Sequence, residues 1–241
     1  AYLKDGGDAA RVRPYLQWYL DNLNYPDSHG LTGTIDDMEV HHGGRMRKTG
    51  TYDSADGYAA VFLVLLESYE RISGDGAFCD ANRSRIEDVA WLLLLLQDPD
   101  GLLRAHPGTH ARYLMDNCEA YGGLLAIEVL SRRRGWNQGP RYREAAENVR
   151  RAVISTLGAA ADQPFHWADV AGHLHPSDWE RYYPDALAQV FPILYGVVDV
   201  DSPTARRLWG EFEHRHGAAV AIERDPAQRV IIDLTRKLME P

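Results

Sequence analysis

The sequence predicts an all-α protein, an α/α toroid built of about four helical hairpins with short β-hairpins in its long loops. Amphipathic helices alternate along the chain with helices that are apolar on every side. A helix without a polar face belongs in an interior, so the apolar helices should form an inner ring covered by the amphipathic ones. Each long loop leads into an apolar helix, and a short acidic motif recurs at these points.

The acidic motif occurs three times with a period of roughly 65 residues. The first copy is YDSADGYAA at 52–60, the second is MDNCEAYGG at 115–123, and the third is YYPDALA at 182–188. Each copy places one or two carboxylates and an aromatic side chain where a loop becomes a helix. The repeat therefore predicts helical hairpins that share one acidic end.

The helical pattern predicts elements of two kinds. The outer helices are Asp8–Leu23, Asn82–Gln97, Pro140–Leu157 and Pro203–His214, and Pro226–Met239 is also helical. The inner helices are the segment from the first motif copy to Ile72, Asn117–Ser131 and Ala186–Val198. Tyr15 falls on the buried stripe of the first helix, and Trp18, Trp91 and Trp209 are predicted core residues.

Three loops precede the inner helices, and they are rich in Gly, Asp, His and aromatic residues. The loops are Asn24–Thr51, Leu102–Leu114 and Ala160–Tyr183, and turn residues at His106–Gly108 predict a hairpin in the second. Their length favours a functional role. An open helical solenoid is the alternative architecture, but it would have shorter loops and an amphipathic face on every helix.

Composition narrows the possible partners. The net charge of −9 argues against nucleic acid, and the absence of an apolar run of about 18 residues argues against a membrane span. Two cysteines are too few for a disulfide scaffold, and a buried thiol is expected at Cys118. We interpret residues 1–241 as a single toroid domain, which a longer protein could contain. Compartment and oligomeric state stay open.

With these motifs, the segment from Tyr15 to Phe212 resembles the six-hairpin glycosidase-like superfamily of (α/α) barrels. Met115–Leu125 followed by Tyr142–Ala146 is similar to a helix pair of the unsaturated glucuronyl hydrolases. The resemblance implies carboxylate catalysis on a sugar. Asp116 would match the motif aspartate of that family.

The earlier carboxylate of that family would correspond to Asp53 or Asp56. This sequence departs from the family pattern in two places. Tyr52 stands where the family has histidine, and the paired methionines after the motif aspartate are absent.

Cleavage of a glycosidic bond needs one protonated carboxyl and one ionised carboxylate on opposite sides of the bond. The candidates are Asp53, Asp56, Asp116, Glu119 and Asp185. Glu119 is the candidate acid and Asp53 or Asp56 the base, whereas Asp116 and Asp185 would hold substrate hydroxyls. The alternative is that these acids only cap helix starts, where Asp and Asn are preferred.

Residues in the loops extend the candidate site. Aromatic faces stack on sugar rings, and polar groups hold hydroxyls or a uronate carboxylate. The substrate-binding candidates are Asp37, Tyr52, Tyr113, Arg112, His166, Trp167, Trp179 and Tyr183. His173 and His175 have metal-ligand spacing but no clear third ligand, so neither a metal nor another cofactor is expected.

These observations predict a glycoside hydrolase acting on an oligo- or polysaccharide. A carbohydrate-binding or scaffold protein on the same fold is the alternative, with the acids used for capping and for sugar hydroxyls. A third hypothesis is a polysaccharide lyase or sugar epimerase that acts beside a uronic acid. That hypothesis requires an Arg or Lys in the cleft, and the first two long loops contain five such residues, Arg45, Arg47, Lys48, Arg104 and Arg112.

Overall fold

The computed structural model describes residues 6–158, 163–217 and 225–240 of the chain. It is mostly helical with two short β-hairpins, as the sequence predicts. The helices are α1 Ala9–Asp21, α2 Ala55–Ser73, α3 Gly76–Ala81, α4 Arg83–Leu96, α5 Leu114–Arg134, α6 Gly139–Ala152, α7 Phe191–Leu194, α8 Pro203–His216 and α9 Pro226–Met239. A π-helical turn, Val153–Leu157, extends α6.

The strands lie in the first and third long loops. Strand β1, Met38–Val40, pairs antiparallel with β2, Met46–Lys48. Strand β3, His166–Ala168, pairs antiparallel with β4, Leu174–Pro176. The start of the predicted third loop, at 159–162, lies outside the described residues.

The centre of the fold is the contact between α2 and α5, the first two predicted inner helices. They pack side by side along most of their length, with α1 and α4 against α2, and with α6 against α5. Their facing side chains are fully buried, as at Leu63 and Leu124. Gly123 makes the close approach possible, because a Cβ there would lie 2.7 Å from the Cα of Ala60.

The two central helices are parallel, with their N-termini adjacent. At one end, Ser54 before α2 donates a hydrogen bond to Asp116 in the first turn of α5. At the other end, Arg133 of α5 pairs with Glu67 of α2 at 2.8 Å. Two parallel neighbouring helices need a returning segment between them, which α4 and the second long loop supply.

The predicted third inner helix, Ala186–Val198, is wrong. A π-helical turn at Tyr182–Ala186 and the short α7 replace a continuous helix. Pro192 lacks the amide that would bond back to the preceding turn, which disfavours a continuous helix from Ala186, although α1 does continue through Pro14. Gly196 follows at φ +74°, a conformation that ends α7.

Two smaller predictions are also wrong. Tyr15 is 48% exposed and Trp91 is 38% exposed, with Arg141 lying 4.2 Å from the Trp91 ring centroid. Both side chains lie beside the buried stripes of their helices. The second loop does reverse at His106–Gly108, where the amide of Ala105 donates to the backbone oxygen of Ala111 at 3.0 Å, but it contains no strand, and Arg112 pairs with Ala168 of β3. The sequence analysis also missed α3, which Asp75 caps through a hydrogen bond from Phe78.

We predict that Gly123→Ala destabilises the protein by about 1 to 3 kcal/mol, because the added methyl group must push α2 and α5 apart. Gly210→Ala in α8 is the matched control. A Cβ there has no neighbour within 4 Å, so it should raise stability by about 0.5 to 1 kcal/mol through helix propensity. Urea unfolding measures both, and equal effects would contradict the role of Gly123.

Candidate active site

Carboxyl groups from two motif copies meet at the adjacent N-termini of α2 and α5. Asp53, Asp116 and Glu119 line one cavity of about 480 Å³. Asp36 and Asp37, from the first loop, line the same cavity. The structure thus brings together carboxylates that are far apart in the sequence.

Small residues at the start of α2 let the acids of α5 approach. A Cβ on Gly57 would lie 3.1 Å from Oε2 of Glu119 and 3.8 Å from Cγ of Asp116. The hydroxyl of Ser54 donates to Oδ2 of Asp116. The motif glycine and serine therefore hold the second copy's acids against the first copy.

Asp53, Asp116 and Glu119 do not act as helix caps. The N-cap positions of α2 and α5 are Ser54 and Tyr113, and neither makes a side-chain capping bond. The first amide of α2 donates to the backbone oxygen of Ala105 in the second loop at 2.8 Å.

Asp56 differs from the other three catalytic candidates because it is fully buried. Its Oδ1 accepts from the amide of Gly57 at 2.8 Å, and its Oδ2 is buried without a hydrogen-bond partner. Burial, and then the charges of Asp116 and Glu119, raise the pKa of Asp56 well above its ordinary value. Asp56 lies next to the acids of the cavity without lining it.

The acids of α5 hold their protons more tightly than free carboxyls do. Burial, and then the charge of Asp116, raise the pKa of Glu119 well above its usual range. The pKa of Asp116 is raised to about 6. Burial is the main cause, the hydrogen bond from Ser54 opposes the change, and the charge of Asp53 adds to it. Glu119, whose pKa is raised, and the exposed Asp53 line the same cavity, so both carboxyl groups are available to one bound molecule.

Aromatic and aliphatic side chains form another part of the cavity wall. The rings of Tyr15 and Trp18 on α1 stack with centroids 5.8 Å apart, and both residues line the cavity with Tyr58, Val61 and Phe62. The sequence analysis assigned Tyr15 and Trp18 to the core and missed this wall. Their spacing on α1, beside the buried Leu16 and Tyr19 stripe, is the pattern that could have shown it.

The third motif copy contributes to a different cavity, of about 230 Å³. Asp185 lines it with Tyr113, Trp167 and Arg181. The Oδ2 atom of Asp185 accepts from the amide of Asp178 at 2.8 Å. The ring centroids of Trp167 and Tyr113 are 6.3 Å apart, and Trp167 also stacks on His175 at 4.8 Å.

Two other predicted binding residues use their polar groups within the fold. The hydroxyl of Tyr52 donates to Asp27 at 2.6 Å. Arg112 donates to Asp98 at 2.6 Å and to Asp100 at 2.7 Å.

Asp37 lines the main cavity, where its Oδ1 accepts from the hydroxyl of Tyr58 at 2.8 Å. Trp179 is half-buried beside His216, which bonds to its backbone oxygen at 2.8 Å. Tyr183 is 57% exposed, and His166 lies half-buried in β3.

No group of three or more His, Cys, Asp or Glu side chains among the described residues is placed to hold a metal ion. Cys79 and Cys118 are both buried, free thiols. Across the part of the chain that the structure describes, no helix combines the length and the hydropathy needed to cross a bilayer.

The fold is similar to that of a solved rhamnosidase from Klebsiella oxytoca with rhamnose bound, with a TM-score of 0.57 and 12% sequence identity. The fold is glycosidase-like. The match covers 86% of this chain but only 40% of the rhamnosidase chain. The sequence matches no protein-family model and no curated protein, so the likeness rests on the backbone alone.

The raised pKa of Asp116 makes stability depend on pH. The folded state keeps a proton that the unfolded chain releases above about pH 4, so this contribution is complete below about pH 4 and is lost as the pH rises to about 6. Measured against Asp116→Asn, the wild-type free energy of unfolding should fall by about 2 to 3 kcal/mol over that range. Asp201→Asn, on the exposed turn before α8, is the control. A difference that is flat with pH would contradict the raised pKa.

Proposed function

We propose that the chain carries the catalytic centre of a glycoside hydrolase. The observation that carries the proposal is that carboxyls of two motif copies, Asp53 before α2 and Glu119 in α5, line one cavity that aromatic side chains also line. Glycosidic cleavage requires an acid and a base on separate elements, and aromatic faces provide an apolar surface for the sugar ring. The glycosidase-like fold supports the same conclusion.

Glu119 is the proposed proton donor. Burial and the neighbouring Asp116 raise its pKa, which keeps the carboxyl protonated near neutral pH. In the reaction it would give its proton to the leaving glycosidic oxygen. Asp116 would hold a substrate hydroxyl and would maintain the raised pKa of Glu119 through its charge.

Asp53 is the proposed base or nucleophile, in preference to Asp56. Asp53 is exposed at the cavity, where it can reach water or the anomeric carbon. Asp56 is fully buried and its pKa is raised, so it would stay neutral. Its role would be to pack beside the acids of the cavity rather than to contact the substrate. The second cavity, with Asp185, Trp167 and Tyr113, is a proposed position for further sugar units.

The two other hypotheses differ in their support. Two hydrogen bonds favour binding without catalysis. The hydroxyl of Ser54 already donates to the carboxyl of Asp116, and the carboxyl of Asp56 accepts from the amide of Gly57 in its own helix. A lyase or epimerase acting beside a uronate needs a cation in the cleft. The described residues that line the main cavity include no Arg or Lys.

We expect Glu119→Gln to lower kcat on glycoside substrates by at least about 100-fold with a smaller change in KM, because the proton donor is lost while the side-chain shape is kept. Reducing-sugar release from a panel of oligosaccharides, including rhamnose-containing ones, measures the effect. Glu87→Gln removes an exposed ion pair with Arg83 in α4 and serves as the control. Equal activities of the two variants would contradict the role of Glu119.

Asp53→Asn and Asp56→Asn separate the two candidate bases. Asp53→Asn should lower kcat by at least about 100-fold and leave the free energy of unfolding unchanged within about 0.5 kcal/mol, because the side chain is exposed. Asp56→Asn should retain activity within about 10-fold, since asparagine resembles the neutral acid. The reverse ranking would assign the base to Asp56.

A further inference from the structure

The main cavity is lined by acidic groups and by no basic ones among the described residues. Asp36, Asp37, Asp53, Asp116 and Glu119 line it, whereas no Arg, Lys or His is among the described residues that do. A cavity so composed has a negative potential, and a narrow, partly desolvated space strengthens that potential.

Three cations of the loops near this cavity are already engaged. Lys48 donates to the side-chain oxygen of Asn24 at 2.8 Å, and Arg47 donates to Glu39 at 2.6 Å. In the second loop, Arg112 is held by Asp98 and Asp100. These three side chains cannot turn into the cavity without breaking the pairs they make, and Arg45 is exposed on the turn between β1 and β2 and does not line the cavity.

The imidazole nearest to Asp53 does not supply the missing positive charge. Burial, and then the neighbouring His29, lower the pKa of His106, although Asp53 acts in the opposite direction. His106 is therefore neutral at pH 7 and does not line the cavity. His106 therefore adds no positive charge near the acids of the cavity.

The aromatic part of the cavity wall can hold the apolar face of a sugar ring. The stacked Tyr15 and Trp18 rings present aromatic surface to the cavity, and Val61 and Leu65 on α2 continue it with aliphatic side chains. C–H groups of a pyranose ring pack against such a surface, while its hydroxyls reach the carboxylates. A volume of about 480 Å³ accommodates one or two sugar units.

We propose that this cavity selects an uncharged glycosyl unit and rejects uronic acids and other anionic sugars. The proposal deepens the proposed function and rests on it for the reaction, but the selection itself rests on the charges and on the apolar wall. A uronate carboxylate placed against either part of the cavity wall would lose its hydration and meet like charges without a partner. The resemblance to the unsaturated glucuronyl hydrolases therefore does not extend to the substrate.

The test compares matched pairs of neutral and uronic methyl glycosides that differ only at the sixth carbon, such as a glucoside with its glucuronide and a galactoside with its galacturonide. Binding is measured by calorimetry and by quenching of tryptophan fluorescence, and hydrolysis is measured separately. We expect at least one neutral glycoside to bind at least about 10-fold more tightly than its uronic partner.

A designed cation tests the cause. Val61 lines the cavity and is 45% exposed, so Val61→Arg can place a guanidinium in the same cavity as the acids without disturbing the core. We expect it to raise the affinity for the uronic glycosides by at least about 10-fold relative to Val61→Gln, which is similar in length but uncharged. A cooperative thermal unfolding transition, at a temperature close to that of the wild type, shows that both variants fold.

Each outcome decides one claim. Uronic glycosides that bind wild type as tightly as their neutral partners, or a panel in which no neutral glycoside binds, would overturn the selectivity. An equal effect of Val61→Arg and Val61→Gln would overturn its electrostatic cause. Neutral sugars that bind and are never hydrolysed would uphold the selectivity and overturn the hydrolase. Hydrolysis of the uronic glycosides would uphold the hydrolase and overturn the selectivity.

Discussion

The close parallel packing of α2 and α5 is the constraint on which the rest of the structure depends. Gly123 brings the backbones together at Ala60, and Gly57 leaves room for Glu119 at the end where both helices begin. Because the helices are parallel, both acidic motif copies lie at the same end. A long returning segment between α2 and α5 then follows from the topology, whereas the loop residues of the cavity come from the first loop and the start of α2.

The cost of this arrangement is electrostatic. Like-charged carboxyls crowd together where burial already disfavours their ionised forms, so the pKa values of Asp56, Asp116 and Glu119 all rise. A fold selected for stability alone gains nothing from a fully buried aspartate whose Oδ2 has no partner. Such strained electrostatics are typical of functional sites, and here they raise the pKa values of three neighbouring carboxyl groups.

Much of this could be predicted from the sequence. The period of the acidic motif and the apolar character of α2 and α5 predicted the helical fold, because both are local patterns. The prediction of a helix over Ala186–Val198 was wrong because hydrophobicity does not show a missing backbone donor, and Pro192 lies in the first turn of the short α7 rather than inside a longer helix. Tyr15 and Trp18 were assigned to the core because one helix face looks the same in sequence whether it meets another helix or a cavity.

The central claim is that α2 and α5 hold Glu119 in a desolvated, acid-rich cavity where it keeps its proton. The most direct test is an NMR titration of the protein labelled with ¹³C at the glutamate side-chain carboxyls, with the Glu119 resonance assigned by its loss in Glu119→Gln. The account predicts that Glu119 titrates well above the ordinary glutamate pKa of about 4.3, and that Asp116→Asn moves its pKa down. Titration of Glu119 at or below the ordinary value would contradict the account.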